Sequence, residues 1–549
     1  MRPADFPPPW SREEAIGAPA DAEPIEVGVL VVGAGPAGLA AAIRLGQLAA
    51  ADPETAARLG EVPVAVLEKG KAPGSHLLSG AVIDPRPLRR LVGEDFPSYG
   101  EVPGEAVYFL TGERAVRVPP PPTMWNRGNV VVSLSQLGRW LAEQAEGLGV
   151  MVLAETVAQQ LLVDDGRVLG VRTGDKGRGR EGEPLGRFEP GSDLRTRVTV
   201  LAEGTAGHLT TAALDLFELH GESPQVWSLG VKEVWKVPRP LGRIIHTLGW
   251  PLRLGSSYRE FGGSFLYPMG DELVSIGMVV GLDHRDAALS VHDLLQELKT
   301  HSLVRSILDG GERVGWGAKT IPEGGFVALP RRFHAPGLLL CGDGVGLVNV
   351  PALKGIHYAI ESGRLAAEAA WRSLRDGELG SYDEALRASF VWRDLRKVRN
   401  MRQAFGAGFV PGVLSAGLAT ISGGRLPGGD RPTERDADHE LVTTDRAADY
   451  PAPDGRLTFD KLSSVFLSGN RTRDDQPSHL RLQTRVPVEV AELWAHMCPA
   501  QVYEFERRDD GLADVRVSAS NCVQCGAISA RGGRLTPPEG GSGPEYTLT

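Results

Sequence analysis

Three patterns in the sequence predict an α/β fold, which is α+β over the whole chain. A β-branched run near the N-terminus leads through a glycine-rich turn into an alanine-rich helix. Two later apolar strands each end in a turn of small residues. A β-rich stretch lies between these two strands, and a stretch that contains cysteines follows them. This order predicts a discontinuous Rossmann-like domain, a β-rich second domain and a small C-terminal domain.

The composition limits the classes of protein that remain. The chain has 549 residues, a formal net charge of −10 and 42% hydrophobic residues, as expected of a globular protein with several domains. Nucleic-acid binders are more often basic, and four cysteines in this length do not make a secreted disulfide framework. Residues 1–24 are rich in proline and acidic residues, and we interpret them as a poorly ordered lead-in without a signal or transit peptide.

The glycine-rich turn near the N-terminus is the first cofactor signal. The run VGVLVVGAGPAGLAAAIRLGQLA places Gly33, Gly35 and Gly38 between a strand and a helix. These glycines permit a tight turn, the approach of a pyrophosphate to the backbone and close packing of helix on strand. A second strand, VPVAVLEKG, ends in Glu68, whose carboxylate can accept hydrogen bonds from a ribose diol. The complete unit predicts a dinucleotide site.

Two later strand ends favour FAD over NAD. VTVLAEG ends at Gly204, and GLLLCGDGVG carries Gly342 and Asp343 before a long helix expected to start near Pro351. An aspartate at such a strand end can bond the ribityl hydroxyls of FAD, and the helix dipole can point at the flavin ring. The alternative is an ordinary strand-to-helix turn. Cys341 lies inside the apolar run and is interpreted as a core thiol.

The segment between these two strands predicts a mostly antiparallel sheet that covers the cofactor. Further on, AFGAGFVPGVLSAGLATIS (404–422) carries no charge, which is typical of a membrane-surface segment or of a buried helix. The predicted domains are a lead-in at 1–24, an FAD-binding domain at 25–105, 130–220 and 330–400, a second domain at 106–129 and 221–329, a membrane-surface segment and linker at 401–440, and a cysteine-containing domain at 441–549.

Nine stretches together resemble one known family. They are GSHLLSGAVIDP, HTLGWPL, GGSFLYP, IGMVVGLD, FDKLSSVFLSG, DDQPSHL, CPAQVYEF, NCVQC and PPEGGSGPEY, in that order along the chain. These stretches resemble the electron-transfer flavoprotein–ubiquinone oxidoreductases. The resemblance implies a monotopic membrane enzyme that takes electrons from reduced electron-transfer flavoprotein and passes them to a membrane quinone. It implies that the second domain (106–129 and 221–329) binds the quinone and contacts the membrane, and that the C-terminal domain (441–549) is a ferredoxin-like iron–sulfur cluster domain. For a prokaryotic source we expect a peripheral protein on the cytoplasmic face of the inner membrane.

The resemblance also assigns residues. It extends the FAD site to Lys69, Ser79 and Gly80, and it places a quinone carbonyl against the backbone of Gly262 and Gly263. Glycine suits this task because a side chain would hold the flat ring away from the backbone. Phe261 stands where relatives often carry tyrosine, so no phenol hydroxyl is available there. The pocket mouth should open into lipid between 107–125 and 404–422.

The cysteines pose a separate question. The family binds a [4Fe–4S] cluster through one upstream cysteine and a C-x-x-C-x-x-C run. Cys498, Cys522 and Cys525 match the first three positions, but Ile528 stands in the fourth and has no donor atom. We favour a [3Fe–4S] cluster. The alternatives are a [4Fe–4S] cluster with water or the nearby Ser529 oxygen, a zinc site completed by His496, and an empty site.

Two other functions are compatible with parts of the sequence. A geranylgeranyl-reductase type of FAD-dependent reductase or hydroxylase would explain the FAD frame but leaves residues 440–549 without a role. An electron-carrier or docking subunit would hold FAD only structurally. No acid–base pair or nucleophile stands out, and His76, His246 and His357 are interpreted as structural or cofactor-adjacent.

Overall fold

The structure is a computed structural model, and it describes residues 1–424 and 429–549. The predicted linker at 401–440 includes 425–428, so that part of the prediction lies outside the described residues. The mixed α/β class predicted from the sequence is confirmed, with two large sheets and flanking helices. Among the described residues, no helix combines the length and the apolarity needed to cross a bilayer.

The first sheet carries the Rossmann-like unit. Strand Ile25–Val32 is paired in parallel with Val64–Leu67 on one side and with Asp193–Leu201 on the other. Its remaining strands are Met151–Leu153, Ala158–Asp164, Arg167–Thr173, His334–Ala335, Leu338–Leu340 and Ile16–Gly17. The last of these belongs to the predicted lead-in, which is thereby paired with Leu161–Leu162 instead of being unstructured.

Two long helices cover one face of this sheet. Helix Pro36–Ala51 follows the glycine turn and crosses helix Ile356–Asp376 so closely that a Cβ on Gly363 would lie 1.9 Å from the Ala37 carbonyl oxygen. The second helix begins at Ile356 rather than near Pro351, because residues 349–354 form a turn closed by backbone hydrogen bonds between Asn349 and Lys354. The other helices of this region are Pro53–Ala57, Arg86–Val92, Leu134–Gly147, His208–Leu216, Ser381–Ala388 and Phe390–Lys397.

The second sheet has seven strands. In spatial order they are Glu312–Pro322, Trp227–Lys236, Leu273–Gly281, Gly262–Met269, Ile244–Gly249, Glu105–Leu110 and Ala115–Val118. Every neighbouring pair is antiparallel except Ile244–Gly249 with Glu105–Leu110. Helices Val291–Thr300 and Ser302–Leu308 pack on its outer face, and helix Phe409–Ile421 follows Met401–Ala404 beyond it.

The C-terminal region packs onto this second sheet. It contains a three-stranded sheet of Arg485–Pro487, Leu512–Val517 and Tyr503–Arg507, with helices Lys461–Leu467, Val488–Met497 and Ala527–Ala530 and a short pair Leu480–Arg481 with Arg534–Leu535. One hydrophobic core runs through both regions, since Leu229 and Leu294 share it with Trp494 and Cys498. The cysteines therefore belong to a core continuous with the second sheet.

Candidate functional site

A single cavity of about 1050 Å³ lies between the two large sheets. Its walls include most residues that the sequence predicts to bind FAD or quinone, namely Gly33, Gly35, Glu68, Lys69, Ser79, Gly80, Gly204, Gly342, Asp343, Gly262 and Gly263. Gly38 lies behind the wall. The cavity extends from the FAD-type turn to the helix Phe409–Ile421.

The glycine turn requires glycine for steric reasons. Gly33 has φ +104°, a left-handed conformation that side chains disfavour, and a Cβ there would lie 2.5 Å from the Ala202 carbonyl oxygen. A Cβ on Gly38 would lie 1.9 Å from the Gly33 carbonyl oxygen. Helix Pro36–Ala51 starts directly after the turn, so its free N–H groups face the cavity where a pyrophosphate could be held.

Glu68 is fixed at the end of its strand by backbone donors. Its Oε1 accepts from the Gly70 N–H (2.7 Å) and its Oε2 from the Ala34 N–H (3.1 Å). Burial raises the pKa of this carboxyl group above its usual value. Each oxygen keeps a further acceptor position, so the carboxylate can receive the ribose hydroxyls of a dinucleotide.

Asp343 supplies a buried acceptor without a partner. Its Oδ1 has no hydrogen-bond partner among the described residues, and burial raises the pKa of the carboxyl group to about 6. An orphaned buried carboxylate oxygen costs stability unless a ligand donates to it. The polyhydroxyl chain of FAD is such a donor, so the residue fits this cofactor.

The loop at Ser79–Gly80 forms another part of the cavity wall. Ala81 has φ +82°, so the loop turns sharply directly after Gly80. A Cβ on Gly80 would lie 3.3 Å from the Tyr267 ring. Lys232 donates from Nζ to the Ser79 carbonyl oxygen (2.8 Å) and holds the loop against the second sheet.

The glycine pair assigned to the quinone lies on an inner strand of the second sheet. A Cβ on Gly262 would lie 2.1 Å from the Val279 carbonyl oxygen, and one on Gly263 would lie 2.6 Å from the Thr247 carbonyl oxygen. Larger residues are therefore excluded at both positions. The flat backbone that results borders the cavity, as contact with a planar ring requires.

An ion network that sequence reasoning missed stands beside this pair. Arg402 donates from Nη2 to Asp283 (2.8 Å) and from Nε to Glu323 (2.9 Å), and all three side chains are buried. The Arg402 guanidinium also lies 4.1 Å from the centre of the Phe261 ring. Phe261 thus makes a cation–π contact with Arg402. A tyrosine at this position would add a hydroxyl group.

The three predicted ligand cysteines converge around one tyrosine. Cys498 ends helix Val488–Met497, while Cys522 and Cys525 lie in the loop before helix Ala527–Ala530. Burial raises the pKa of Tyr503 far above its usual value, and negative charge on any of the three nearby cysteine sulfurs would raise it further. Backbone N–H groups of Val502 and Gln524 point at Cys498 Sγ and Cys522 Sγ, each at 3.4 Å.

The fourth position is filled by hydrocarbon. Ile528 is 4% exposed and packs against Gly533, where a Cβ would lie 2.5 Å from its side chain. The hydroxyl oxygen of Ser529 accepts from the Leu535 N–H (2.9 Å). In the described part of the chain, no group of three histidine, cysteine, aspartate or glutamate side chains is arranged to hold a single metal ion. The donor chemistry of the three thiols suits an iron–sulfur cluster, which is held by cysteine thiolates.

The cysteine loop reaches the cavity through Gln524, which the sequence did not single out. Gln524 has φ +53° and lines the cavity; its Oε1 accepts from Lys69 Nζ (2.5 Å) and its Nε2 donates to the Ser542 carbonyl oxygen (3.1 Å). Lys319 donates to the Gln524 carbonyl oxygen (3.1 Å). The available sequence signal was a lysine inside a strand of mostly apolar residues: Lys319 in VGWGAKTIP, and Lys232, which Glu233 follows directly, in SLGVKEVWKV.

Helix Phe409–Ile421 has one face on the cavity and one on solvent. Val413, Ala416 and Thr420 line the cavity. Leu414 and Ile421 are 65% and 86% exposed, and Val410 and Leu418 are exposed as well. Exposed apolar residues in such a row are unusual on a water-facing surface.

Comparison with protein families gives two matches. Residues 227–321 match the family described as "ETF-QO, ubiquinone-binding". Residues 455–547 match "Electron transfer flavoprotein-ubiquinone oxidoreductase, 4Fe-4S". The second match contains all three cysteines together with Ile528.

Three curated relatives are similar over nearly the whole chain. The mitochondrial electron transfer flavoprotein-ubiquinone oxidoreductase of Oryza sativa subsp. japonica is 40% identical and covers 96% of this chain and 93% of its own. The Pseudomonas aeruginosa protein of that name is 39% identical (95% and 99%), and the human mitochondrial one is 38% identical (95% and 89%).

Solved structures show similarity in fold. A geranylgeranyl bacteriochlorophyll reductase-like protein from Thermoplasma acidophilum is 17% identical, has a TM-score of 0.50 and covers 73% of this chain and 88% of its own. The flavin-dependent brominase Bmp2 is 16% identical, with a TM-score of 0.50 and coverage of 73% and 94%. At these identities the similarity concerns the fold alone. The shared fold agrees with the predicted Rossmann-like domain.

Proposed function

This chain belongs to the electron-transfer flavoprotein–ubiquinone oxidoreductase family, and from that premise we propose that it passes electrons from reduced electron-transfer flavoprotein, through an iron–sulfur cluster and FAD, to a membrane quinone. Three relatives of 38–40% identity carry that enzyme's name. The chain is therefore an oxidoreductase of this type.

One observation carries the proposal. The FAD-type turn, the Gly262–Gly263 pair and Gln524 of the cysteine loop all border the same cavity. Cofactors that exchange electrons must lie close together, and a shared cavity supports that proximity. FAD, when bound, supplies a centre that accepts one or two electrons and so couples one-electron donors to two-electron quinone reduction.

The chain's residues have distinct tasks toward FAD. The helix after Gly35 would hold the pyrophosphate, Glu68 the ribose and Asp343 the ribityl chain, since each offers the matching charge or acceptor. Gly204 and Gly342 keep side chains away from the cavity wall. Ser79 and Gly80 would border the ring.

The quinone is proposed to sit on Gly262 and Gly263. A carbonyl oxygen of the ring would accept a hydrogen bond from this backbone, because no side chain intervenes. The apolar wall supplied by Phe405 and by helix Phe409–Ile421 suits an isoprenoid tail. A quinone rather than a sugar or a nucleotide is thus the natural occupant of this end.

For the cluster we favour [3Fe–4S] over [4Fe–4S]. Three cysteine thiolates are available, and Ile528 puts hydrocarbon where a fourth would stand. The hydroxyl oxygen of Ser529 already accepts a backbone N–H. The cysteine-containing domain would receive electrons from electron-transfer flavoprotein.

Membrane contact is proposed at the surface only. The exposed row of Val410, Leu414, Leu418 and Ile421 would enter the headgroup boundary beside the pocket mouth, with segment 107–125 on the other side. The protein would then be peripheral, on the cytoplasmic face of the inner membrane in a prokaryote. The fold likeness to a geranylgeranyl reductase-like protein leaves residues 455–547 without a role, so that activity is not proposed.

Turnover of the purified protein tests the proposal. With reduced electron-transfer flavoprotein as donor and a short-chain quinone as acceptor, we expect quinol formation, an FAD absorption spectrum and bound iron. A protein with FAD and iron that reduces no quinone would contradict the assigned function. The Gly263→Ala variant forces the Thr247 backbone to shift, so we expect it to lose quinone reduction, and its FAD and iron content shows whether the fold is kept. Gly242→Ala, where a Cβ meets nothing within 4 Å, is the control.

A further inference from the structure

Lys232 is a buried cation in the middle of an inner strand. The residue is 1% exposed and lies on strand Trp227–Lys236 between Gly277 and Gly317 of the two neighbouring strands. Both glycines are needed to clear space on this face, since a Cβ on Gly277 would lie 2.4 Å from the Phe265 ring and one on Gly317 would lie 2.3 Å from Leu78. The two flanking glycines, which lack side chains, therefore leave space around Lys232 on this face of the sheet.

The Lys232 ammonium group makes one hydrogen bond, to a carbonyl oxygen. Nζ donates to the Ser79 oxygen (2.8 Å), and no carboxylate of the described residues lies within ion-pair distance. The neighbouring Glu233 points to the opposite face, where it pairs with Lys299 (2.8 Å) and Arg313 (3.4 Å). The cost of burying the Lys232 charge is thus left uncompensated by the protein.

Burial lowers the pKa of Lys232 to about 7, with desolvation as the cause. A ligand that brings negative charge to this wall would reverse the desolvation cost. Lys232 lines the same cavity as Ser79, Gly80, Gly342 and Asp343, which are the residues assigned to FAD.

We propose that Lys232 is a positioning residue for the flavin ring: its ammonium charge offsets the negative charge that the ring gains with each electron, and its hydrogen bond holds Ser79–Gly80 against the ring. This inference rests on the proposed FAD site. Each electron that the bound flavin accepts adds one negative charge unless a proton follows. A fixed cation in a water-poor wall favours that reduced state.

Three variants separate the charge from the hydrogen bond. Lys232→Gln keeps a donor but loses the charge, Lys232→Met loses both, and Lys232→Arg keeps both. Lys236→Gln is the matched control, because Lys236 lies on the same strand with an exposed side chain paired to Glu272. For each protein we would measure the FAD content, the thermal midpoint and the flavin midpoint potential by spectroelectrochemistry below neutral pH.

The proposal expects a lower flavin potential in Lys232→Gln and Lys232→Met alike, and a potential near that of the wild type in Lys232→Arg and Lys236→Gln. A wild-type potential in an FAD-loaded Lys232→Gln protein would overturn it, because the charge would then be irrelevant. A shift in Lys232→Met alone would also overturn the charge role and leave only a structural support for the loop.

Sulfite gives a second readout, and its first part uses the wild-type protein alone. Sulfite adds its sulfur lone pair to the flavin ring and leaves a negative charge on it, so a nearby cation tightens its binding. The proposal expects measurable bleaching of the wild-type flavin by sulfite, and about tenfold or greater weakening in Lys232→Gln. Absence of any bleaching in the wild type would count against the proposal. A wild-type protein that holds no FAD would instead overturn the proposed FAD function itself.

Discussion

Lys69 and Gln524 join the two ends of the chain: Lys69 Nζ lies 2.5 Å from Gln524 Oε1, across a sequence separation of 455 residues. Lys69 directly follows the strand that positions Glu68, and Gln524 lies between Cys522 and Cys525. The contact therefore ties the cysteine loop to the wall of the FAD-type cavity.

Gln524→Ala should loosen the junction. The substitution leaves the Lys69 ammonium group and the Ser542 carbonyl oxygen without their partner, and unsatisfied buried groups of this kind cost about 1–3 kcal/mol. We expect a lower free energy of unfolding and less iron per protein after purification. Gln483→Ala is the control, because Gln483 bonds only the Pro7 carbonyl oxygen in an exposed setting. Equal stability of the two variants would contradict the role assigned to Gln524.

The exposed row on helix Phe409–Ile421 predicts a membrane-binding phenotype. Leu414→Asp replaces a 65% exposed leucine with a charge, so we expect binding to liposomes, measured by co-sedimentation, to weaken by about tenfold or more. Turnover with a water-soluble short-chain quinone should change little. Ile25→Asp, at an exposed position on the first sheet, is the control and should bind liposomes as the wild type does. Unchanged binding by Leu414→Asp would exclude this helix as the contact.

The sequence predicted those parts of the site whose chemistry is local. The turn from Gly33 to Gly38 and the strand ending in Glu68 are recognisable because the residues that need one another are neighbours along the chain. Arg402 and Gln524 were missed for the opposite reason. Arg402 acquires meaning only from Asp283 and Glu323, 119 and 79 positions away, and nothing in its own surroundings marks it as buried.

Asp343 gives a pH-dependent prediction for the FAD-free protein. Its pKa is raised from 3.8 to about 6 by burial. Between these values the folded state binds more protons than the unfolded state, so stability falls as pH rises from about 4 to about 6 and stays lower above it. At neutral pH the loss attributable to Asp343 is at most about 3 kcal/mol.

Asp343→Asn removes that ionisation. We expect the FAD-free variant to be more stable than the wild type at neutral pH and equally stable at pH ~4, as measured by chemical denaturation at both pH values. FAD affinity should fall, because the negative charge is lost and an NH2 donor replaces one of the two acceptor oxygens. The exposed Asp309→Asn variant serves as control. A wild-type apoprotein whose stability is flat between the two pH values would show that the folded state does not raise the pKa of Asp343.

Ile528→Cys tests the three-thiolate cluster directly. The substitution is smaller than isoleucine, so it fits the space beside Gly533 and supplies the donor atom that the loop lacks. An oxidised [3Fe–4S] centre is paramagnetic, whereas an oxidised low-potential [4Fe–4S] centre gives no electron paramagnetic resonance signal. We therefore expect the low-temperature signal of the oxidised wild type to disappear in Ile528→Cys, while the iron content rises. Ile528→Val should keep the wild-type signal, Cys522→Ala should lose both iron and signal, and Cys341→Ala should lose neither, since Cys341 is a buried thiol of the first sheet. A wild-type protein that already holds a silent four-iron cluster would show that a group other than cysteine occupies the fourth site.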